Sequence, residues 1–395
     1  MPVVARLRAR LFQPGPVAFA SLFGLETMAR AVISVIVPVE ALRVLGDARD
    51  VSAAFAATTC AVLVISQAVP LLIRGIGPGW TYVIAALMGM LMPLCLAASS
   101  AVGVSAVILL RGLSLSLAGN ALQILIMSHI ERRDLAKMEP LRVVAAAGSW
   151  SILPTVGIVL FTQVSPWAAY GLTILASLVL LLHLALLRPS VPAARWATSG
   201  RAAFAPFRTL KRFLAQPRLR LAYVLNLGRE NWWSMFFVYV PIYAVASGLG
   251  ATEGGYMLSA GSALLFVVPM FGRLARRIGM RRVIIVGFAL GGATVLAAAA
   301  LVSWPLAFVA LILASAVAAV ALDSVCMVTF QRAVRARERP EMTTVFITYR
   351  DVGALVSTSV FSLLLTFLGL WSVFAATGLW MVYCAWLARF VPRGM

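Results

Sequence analysis

Apolar runs of about 20 residues recur along almost the whole chain, and that is the length an α-helix needs to cross a bilayer. Few folds accept such a sequence. In hydrocarbon every backbone N–H and C=O must find a partner inside the protein, and a helix supplies it within each run. Charge is scarce in the way a membrane protein requires: 12% of the 395 residues are charged and 62% are hydrophobic, against about 25% charged in soluble domains. Mean hydropathy is +0.98. The runs predict twelve spans, at 16–40, 51–73, 81–100, 104–129, 141–163, 166–187, 220–246, 255–271, 283–303, 306–330, 342–366 and 371–390. No polar stretch leaves room for a separate soluble domain.

The net charge of +20 raises the question of nucleic acid, but the basic residues follow topology and do not gather on one module. An even number of spans puts both termini on one side. That side holds 27 of the 33 Lys and Arg, the opposite side holds Arg43 and Arg49, and four are intramembrane. The positive-inside rule makes the rich side cytoplasmic. Arg6, Arg8 and Arg10 then read as topology signals ahead of a first span, not as the start of a signal peptide. The longest loop, 188–219, is basic and without acidic residues. Within it, Phe207, Leu210 and Leu214 fall on one helical face and Arg208, Lys211 and Arg212 on the other, which suits a short helix on the inner membrane surface. An unstructured basic linker is the alternative.

The chain repeats itself. SVIVPVEALRVLG (34–46) parallels FVYVPIYAVASGLG (237–250), with Pro38 matching Pro241. PLLIRGIG (70–77) parallels GRLARRIG (272–279), and Glu139 matches Glu341, all at offsets of 202 or 203. Three matches at nearly one offset predict two six-helix halves in the same orientation, an architecture of secondary transporters. The expected division is 1–187, a linker at 188–219, and 220–395.

Eight ionisable residues fall well inside spans, away from their ends: Glu26, Arg30, Arg111, Arg229, Glu230, Asp323, Arg350 and Asp351. Each costs about 2.5–3.5 kcal/mol at mid-helix on insertion scales. Unpaired in lipid they would together cost on the order of 20 kcal/mol, more than the roughly 5–15 kcal/mol of net stability a domain has. They must be paired or hydrated in a cavity. Glu26, Glu230 and Asp351 each lie about ten residues in from the cytoplasmic end, or about 15 Å at 1.5 Å per residue, near the midplane. Glu26 and Arg30 are spaced i,i+4 and can bridge along one face. Arg229 and Glu230 are adjacent and point about 100° apart, so they are expected to serve different faces, as are Arg350 and Asp351. Asn226, Arg229 and Trp233 share a face, which would offer a solute a polar donor, a cation and an aromatic plane.

On these features the chain resembles the major facilitator superfamily. The sharpest local match is GRLARRIGMRR (272–282), similar to that superfamily's G-x-L-a-D-R-x-G-R-R loop. Gly272, Arg277 and Gly279 fit, while Arg276, like Arg74 before Gly77 in the first half, stands where the family has Asp. The resemblance implies a gating contact there, and this chain lacks its carboxylate. It also implies that spans 1, 4, 7 and 10 line a central cavity and that Arg111 is the span-four arginine associated with proton coupling. Pro154 and Gly157 are similar to the Pro-x-x-Gly of an antiporter motif.

The expected fold is therefore all-α, with twelve spans in two six-helix bundles. The expected function is secondary active transport of a small organic solute by alternating access, as proton-coupled export from a bacterial inner membrane. Glu26, Glu230, Asp323 and Asp351 are the buried carboxylates that would carry protons. Uptake of an organic anion is the alternative, since four buried arginines suit a carboxylate or phosphate. A membrane scaffold on a transporter fold is an alternative of another class, in which the paired charges only lock helices in register. An enzyme is not expected. Neither lysine, Lys137 or Lys211, follows Gly, so no phosphate-binding Walker loop is present. Two histidines, His129 and His183, with no cysteine or carboxylate cluster beside them, call for no metal, and nothing calls for a cofactor. The four cysteines lie in apolar runs, against a disulfide framework. The chain is expected to act as a monomer in the bilayer, with solute and protons as its partners and no nucleic acid.

Overall fold

The computed structural model describes residues 15–130, 132–187, 206–334 and 339–392, and all regular structure among them is helical. Eleven helical stretches are long and apolar enough to span a membrane: Pro16–Leu45, Ala48–Ser66, Val69–Ala97, Ala101–Ile126, Val144–Val164, Pro166–Leu187, Ala251–Ile278, Met280–Ala300, Pro305–Ala333, Val345–Phe367 and Trp371–Phe390. The twelfth is Pro217–Ala246, 30 residues long. It falls short of that apolar measure because it carries Arg229 and Glu230 at mid-length. In chain order these are spans 1 to 12, with Pro217–Ala246 as span 7. The matched pair Glu139 and Glu341 lies outside the residues whose side chains are described. So do the arginines of 1–14 and the linker as far as residue 209, with Phe207 and Arg208 of the expected amphipathic face. From Pro206 to Leu214 the linker is a helix.

The repeat is written in the backbone. Gly77, with φ 84°, kinks span 3 near the start of the helix Val69–Ala97. Gly279, with φ 92°, separates span 8 from span 9 at an offset of 202. Both occupy a left-handed conformation that a side chain disfavours, so both repeats need glycine at the same place. Gly46 and Gly248, φ 82° and 79°, repeat the device at the ends of spans 1 and 7.

The chain divides into two compact units, Met1–Gly46 with Ala57–Ala203 and Asp47–Ala56 with Phe204–Met395. This departs from the chain-order division at one point: 47–56, the start of span 2, groups with the second half. There the Ser52 and Tyr239 hydroxyls are 2.6 Å apart.

In the first unit, Phe19 and Leu22 of span 1 pack with Tyr82, Leu122, Leu125 and Leu180 of spans 3, 4 and 6. Span 1 also lies against span 5 along a glycine seam. A Cβ on Gly157 would stand 2.0 Å from the carbonyl oxygen of Val32, and one on Gly24 would stand 3.2 Å from Cβ of Ala145. Gly157 thus lets the helices touch just where span 1 breaks, between Pro16–Val32 and Ile36–Leu45.

The second unit has two further breaks. Span 10 is helical over Pro305–Asp323 and again over Cys326–Ala333. Span 11 is helical over Arg339–Ile347 and Tyr349–Phe367, with Thr348 between. Backbone that leaves the helix at membrane depth is tolerated where protein or water covers it. Here the charged side chains gather at those breaks.

Candidate functional site

The eight expected intramembrane charges fall in two groups, one in each unit: Glu26 is buried, Arg350 is exposed and the rest are partly buried. In the first unit, Glu26 is 5% exposed. Its Oε1 lies 3.2 Å from Nη2 of Arg30, one turn on, and the fully buried Tyr82 of span 3 donates to Oε2 at 3.3 Å. Arg142 of span 5 also acts on Glu26, with its guanidinium 4.4 Å from the centre of the Phe23 ring. A small cavity opens beside the pair, lined by Glu26, Arg30, Gly89, Met92, Ser114 and Ser177. Arg30 Nε and the Ser177 hydroxyl are buried without a hydrogen-bond partner among the described residues. Arg111 of span 4 has no ion pair with any described residue, and the charge that acts on it is the like charge of Arg30.

The second cluster is a network across spans. Arg229 of span 7 forms an ion pair with Asp323, at the break of span 10. Its other terminal nitrogen donates to the Tyr349 hydroxyl at 2.8 Å and lies 3.7 Å from Glu230. Trp233 donates its indole N–H to Asp323 at 3.2 Å. Arg350 donates to the same Tyr349 hydroxyl at 3.3 Å. Asp323 is therefore held by a guanidinium and an indole, and Tyr349 accepts from two guanidiniums. Charge-assisted bonds of this kind are about twice as strong as neutral ones. They are also reversible: a proton on Asp323 cancels the ion pair and frees Arg229 for another acceptor.

Two expectations need correction. Arg229 and Glu230 do reach each other, because both side chains are long enough to curl across the 100° that separates their Cα–Cβ bonds. Asn226 does not present an open face. It is fully buried, and its amide donates to the carbonyls of Ala222 at 2.8 Å and Cys326 at 3.0 Å. It straps span 7 to the restart of span 10. Trp233 and Arg229 do meet, but through Asp323.

Other expected residues are less engaged. Asp351 forms no ion pair or hydrogen bond among the described residues, though Arg350 is the charge acting on it. Arg74, Arg276 and Arg277 are exposed, and Gly272 and Gly279 flank the latter two. None of these arginines has a carboxylate partner among the described residues. Sequence reasoning missed Tyr82, Tyr349, Arg142 and Glu40. The tyrosines carried a signal, since a buried phenol needs a hydrogen-bond partner. Arg142 stands two residues inside an expected span and was assigned to the loop. Glu40 is 4% exposed and paired with Arg43 at 2.7 Å near the end of span 1. No group of three or more His, Cys, Asp or Glu among the described residues could hold a metal.

A family model described as Major Facilitator Superfamily matches residues 19–358. The chain belongs to the major facilitator superfamily. Solved structures of that fold are similar over nearly the whole chain. A nucleoside transporter, NupG, superposes with a TM-score of 0.66 at 13% identity, covering 95% of this chain and 98% of its own. A peptide transporter, POT, in complex with sulfate gives 0.70 at 11%, covering 95% and 93%. A bacterial homologue of the iron transporter ferroportin, in an inward-facing state, gives 0.65 at 17%, covering 95% and 97%. A search of curated protein sequences finds no match. At these identities the solved structures show the fold alone, and the solutes named for the three proteins differ from one another.

Proposed function

We propose that this chain is a proton-coupled secondary active transporter of a small organic solute, working by alternating access. The observation that carries the reading is the Arg229–Asp323–Tyr349 network at the breaks of spans 10 and 11. An ion pair inside a membrane protein is expensive and a neutral packed core would serve stability as well. A pair that opens and closes with a proton has a use that a fixed pair has not. Solute and proton then bias one equilibrium between conformations, because each binds the two states differently.

Export is the direction we favour from Pro154 and Gly157, which are similar to the Pro-x-x-Gly of an antiporter motif and of which Gly157 lies in the seam of spans 1 and 5. The second reading is uptake of an organic anion. What favours it is Arg111, a cation in a span that has no carboxylate partner among the described residues. Placement in a bacterial inner membrane with cytoplasmic termini rests on the 27-to-2 distribution of Lys and Arg. Reporter fusions after Arg277 should read cytoplasmic and one after Ala251 periplasmic, and the reverse would overturn that placement.

The function is tested in proteoliposomes that enclose a pH-sensitive dye, exposed to a panel of organic acids, bases and neutral metabolites. A transporter of this kind moves protons when its solute is added, saturably and in a fixed direction. A protein that serves only as a scaffold moves neither.

A further inference from the structure

The geometry points to the helix Pro206–Leu214 as a surface that binds the anionic headgroups of the inner leaflet and transmits that contact to Arg229. Two sets of residues on one short helix carry the inference. The first faces outward. Leu210 and Leu214 are 42% and 51% exposed and lie one turn apart on one face. Lys211 and Arg212, about 100° and 200° around the helix from Leu210, are exposed, as are Arg218 and Arg220 at the start of span 7. From Arg188 to Arg220 the sequence has eight basic residues and no acidic one. An apolar edge flanked by cations, next to a membrane span on the proposed cytoplasmic side, is complementary to hydrocarbon below and phosphate above. A free polyanion would match the cations but leave Leu210 and Leu214 in water.

The second set faces inward. Phe213 is 1% exposed and joins a core cluster with Phe330, Met342, Phe346 and Tyr349. Its ring meets Tyr223 edge-on at 5.9 Å, and Tyr223 meets Phe346 at 6.3 Å. The Tyr223 hydroxyl lies 3.1 Å from that of Thr348, the residue at the break of span 11. Phe346 contacts Tyr349 at 5.2 Å, whose hydroxyl accepts from Arg229. Phe213 therefore wedges against the segment that positions Tyr349. If the leaflet holds the helix down, the wedge stays in and Tyr349 stays under Arg229. Close-packed side chains of this kind pass on a displacement because they leave no void to absorb it.

The test is hydrogen exchange of the full chain in nanodiscs of phosphatidylcholine alone and of phosphatidylcholine with phosphatidylglycerol in equal parts. Anionic lipid should slow exchange over 206–216 by tenfold or more, since each basic residue at such a surface contributes about fivefold. It should slow 345–353 as well, and high salt should remove both effects. The double variant Lys211→Gln, Arg212→Gln should exchange nearly alike in the two lipids. Phe213→Ala should keep the lipid effect at 206–216 and lose it at 345–353. Equal exchange of the parent in both lipids overturns the proposal. So does full protection by soluble glycerol phosphate, or a lipid response undiminished in the double variant. A response at 345–353 that survives Phe213→Ala overturns the transmission. The reporter fusions test the orientation on which the inner-leaflet assignment depends, independently of this result.

Discussion

The two charge clusters solve the same electrostatic problem in different ways. In the first unit the ion pair shown among the described residues lies inside one helix, Glu26 to Arg30, and neighbouring helices add the Tyr82 hydroxyl and the charge of Arg142. In the second unit the pair crosses helices, Arg229 to Asp323, and Tyr349, Trp233 and Glu230 close around it. A pair within one helix keeps its partners close whatever the neighbouring helices do. A pair across helices senses their separation. Under the proposed function the second cluster is the coupling element and the first, with Arg30 and Arg111 in excess of Glu26, is the place where negative charge is wanted.

That contrast breaks if the two clusters respond alike to losing a carboxylate. Asp323→Asn should show the largest loss of thermal stability, about 3–5 kcal/mol, because Arg229 is left buried with only a weaker partner in Glu230. Adding Arg229→Gln should restore most of it. Thermal unfolding of purified protein reads both. An Asp323→Asn variant as stable as the parent would mean that the pair is hydrated and that its geometry imposes nothing.

The glycine seam comes next. Gly157→Ala should destabilise by about 1–3 kcal/mol, since its methyl group would meet the Val32 backbone and force spans 1 and 5 apart. Gly148→Ala, on the same helix with open space around it, should be neutral or slightly stabilising. The same unfolding assay separates them, and equal effects would remove the seam from the account. Glu26→Gln should lose less than Asp323→Asn, about 1–3 kcal/mol. The amide still accepts from Tyr82, and Arg30 keeps its place on the same helix. The double variant with Arg30→Gln should be less damaged than the single one, and additive losses would show that the two residues do not interact. Arg229→Lys should cost only about 1 kcal/mol of stability, yet it should abolish most transport. A lysine point charge cannot hold Asp323 and Tyr349 in one planar fork. Arg281→Lys, at the start of span 9 just after Gly279, should alter neither.

Much of this fold was legible in the sequence. Bilayer thickness sets span length, so apolar runs gave the helices directly, and the offset of 202 gave the halves before the matching φ values of Gly77 and Gly279 did. The site was legible only in part. Helical spacing states which residues share a face, and so it paired Glu26 with Arg30. It does not state which helix lies opposite. Asp323 is 94 residues from Arg229, and nothing local to either names the other. Asn226 looked like a ligand because it shares a face with Arg229, but that stretch of the face is covered by span 10. The breaks after Asp323 and at Thr348 carry no Gly or Pro, and their positions come from packing.

The central claim is that a proton on Asp323 couples to solute movement through Arg229. The most direct measurement compares the parent with Asp323→Asn in dye-loaded proteoliposomes, using a solute the panel has identified. Two fluxes are read at matched protein content: exchange of labelled for unlabelled solute without a pH gradient, and accumulation driven by one. The account predicts that Asp323→Asn retains exchange and loses gradient-driven accumulation together with the dye signal. Accumulation and proton movement equal to the parent's would contradict it and leave the Arg229–Asp323 pair as a fastening between helices.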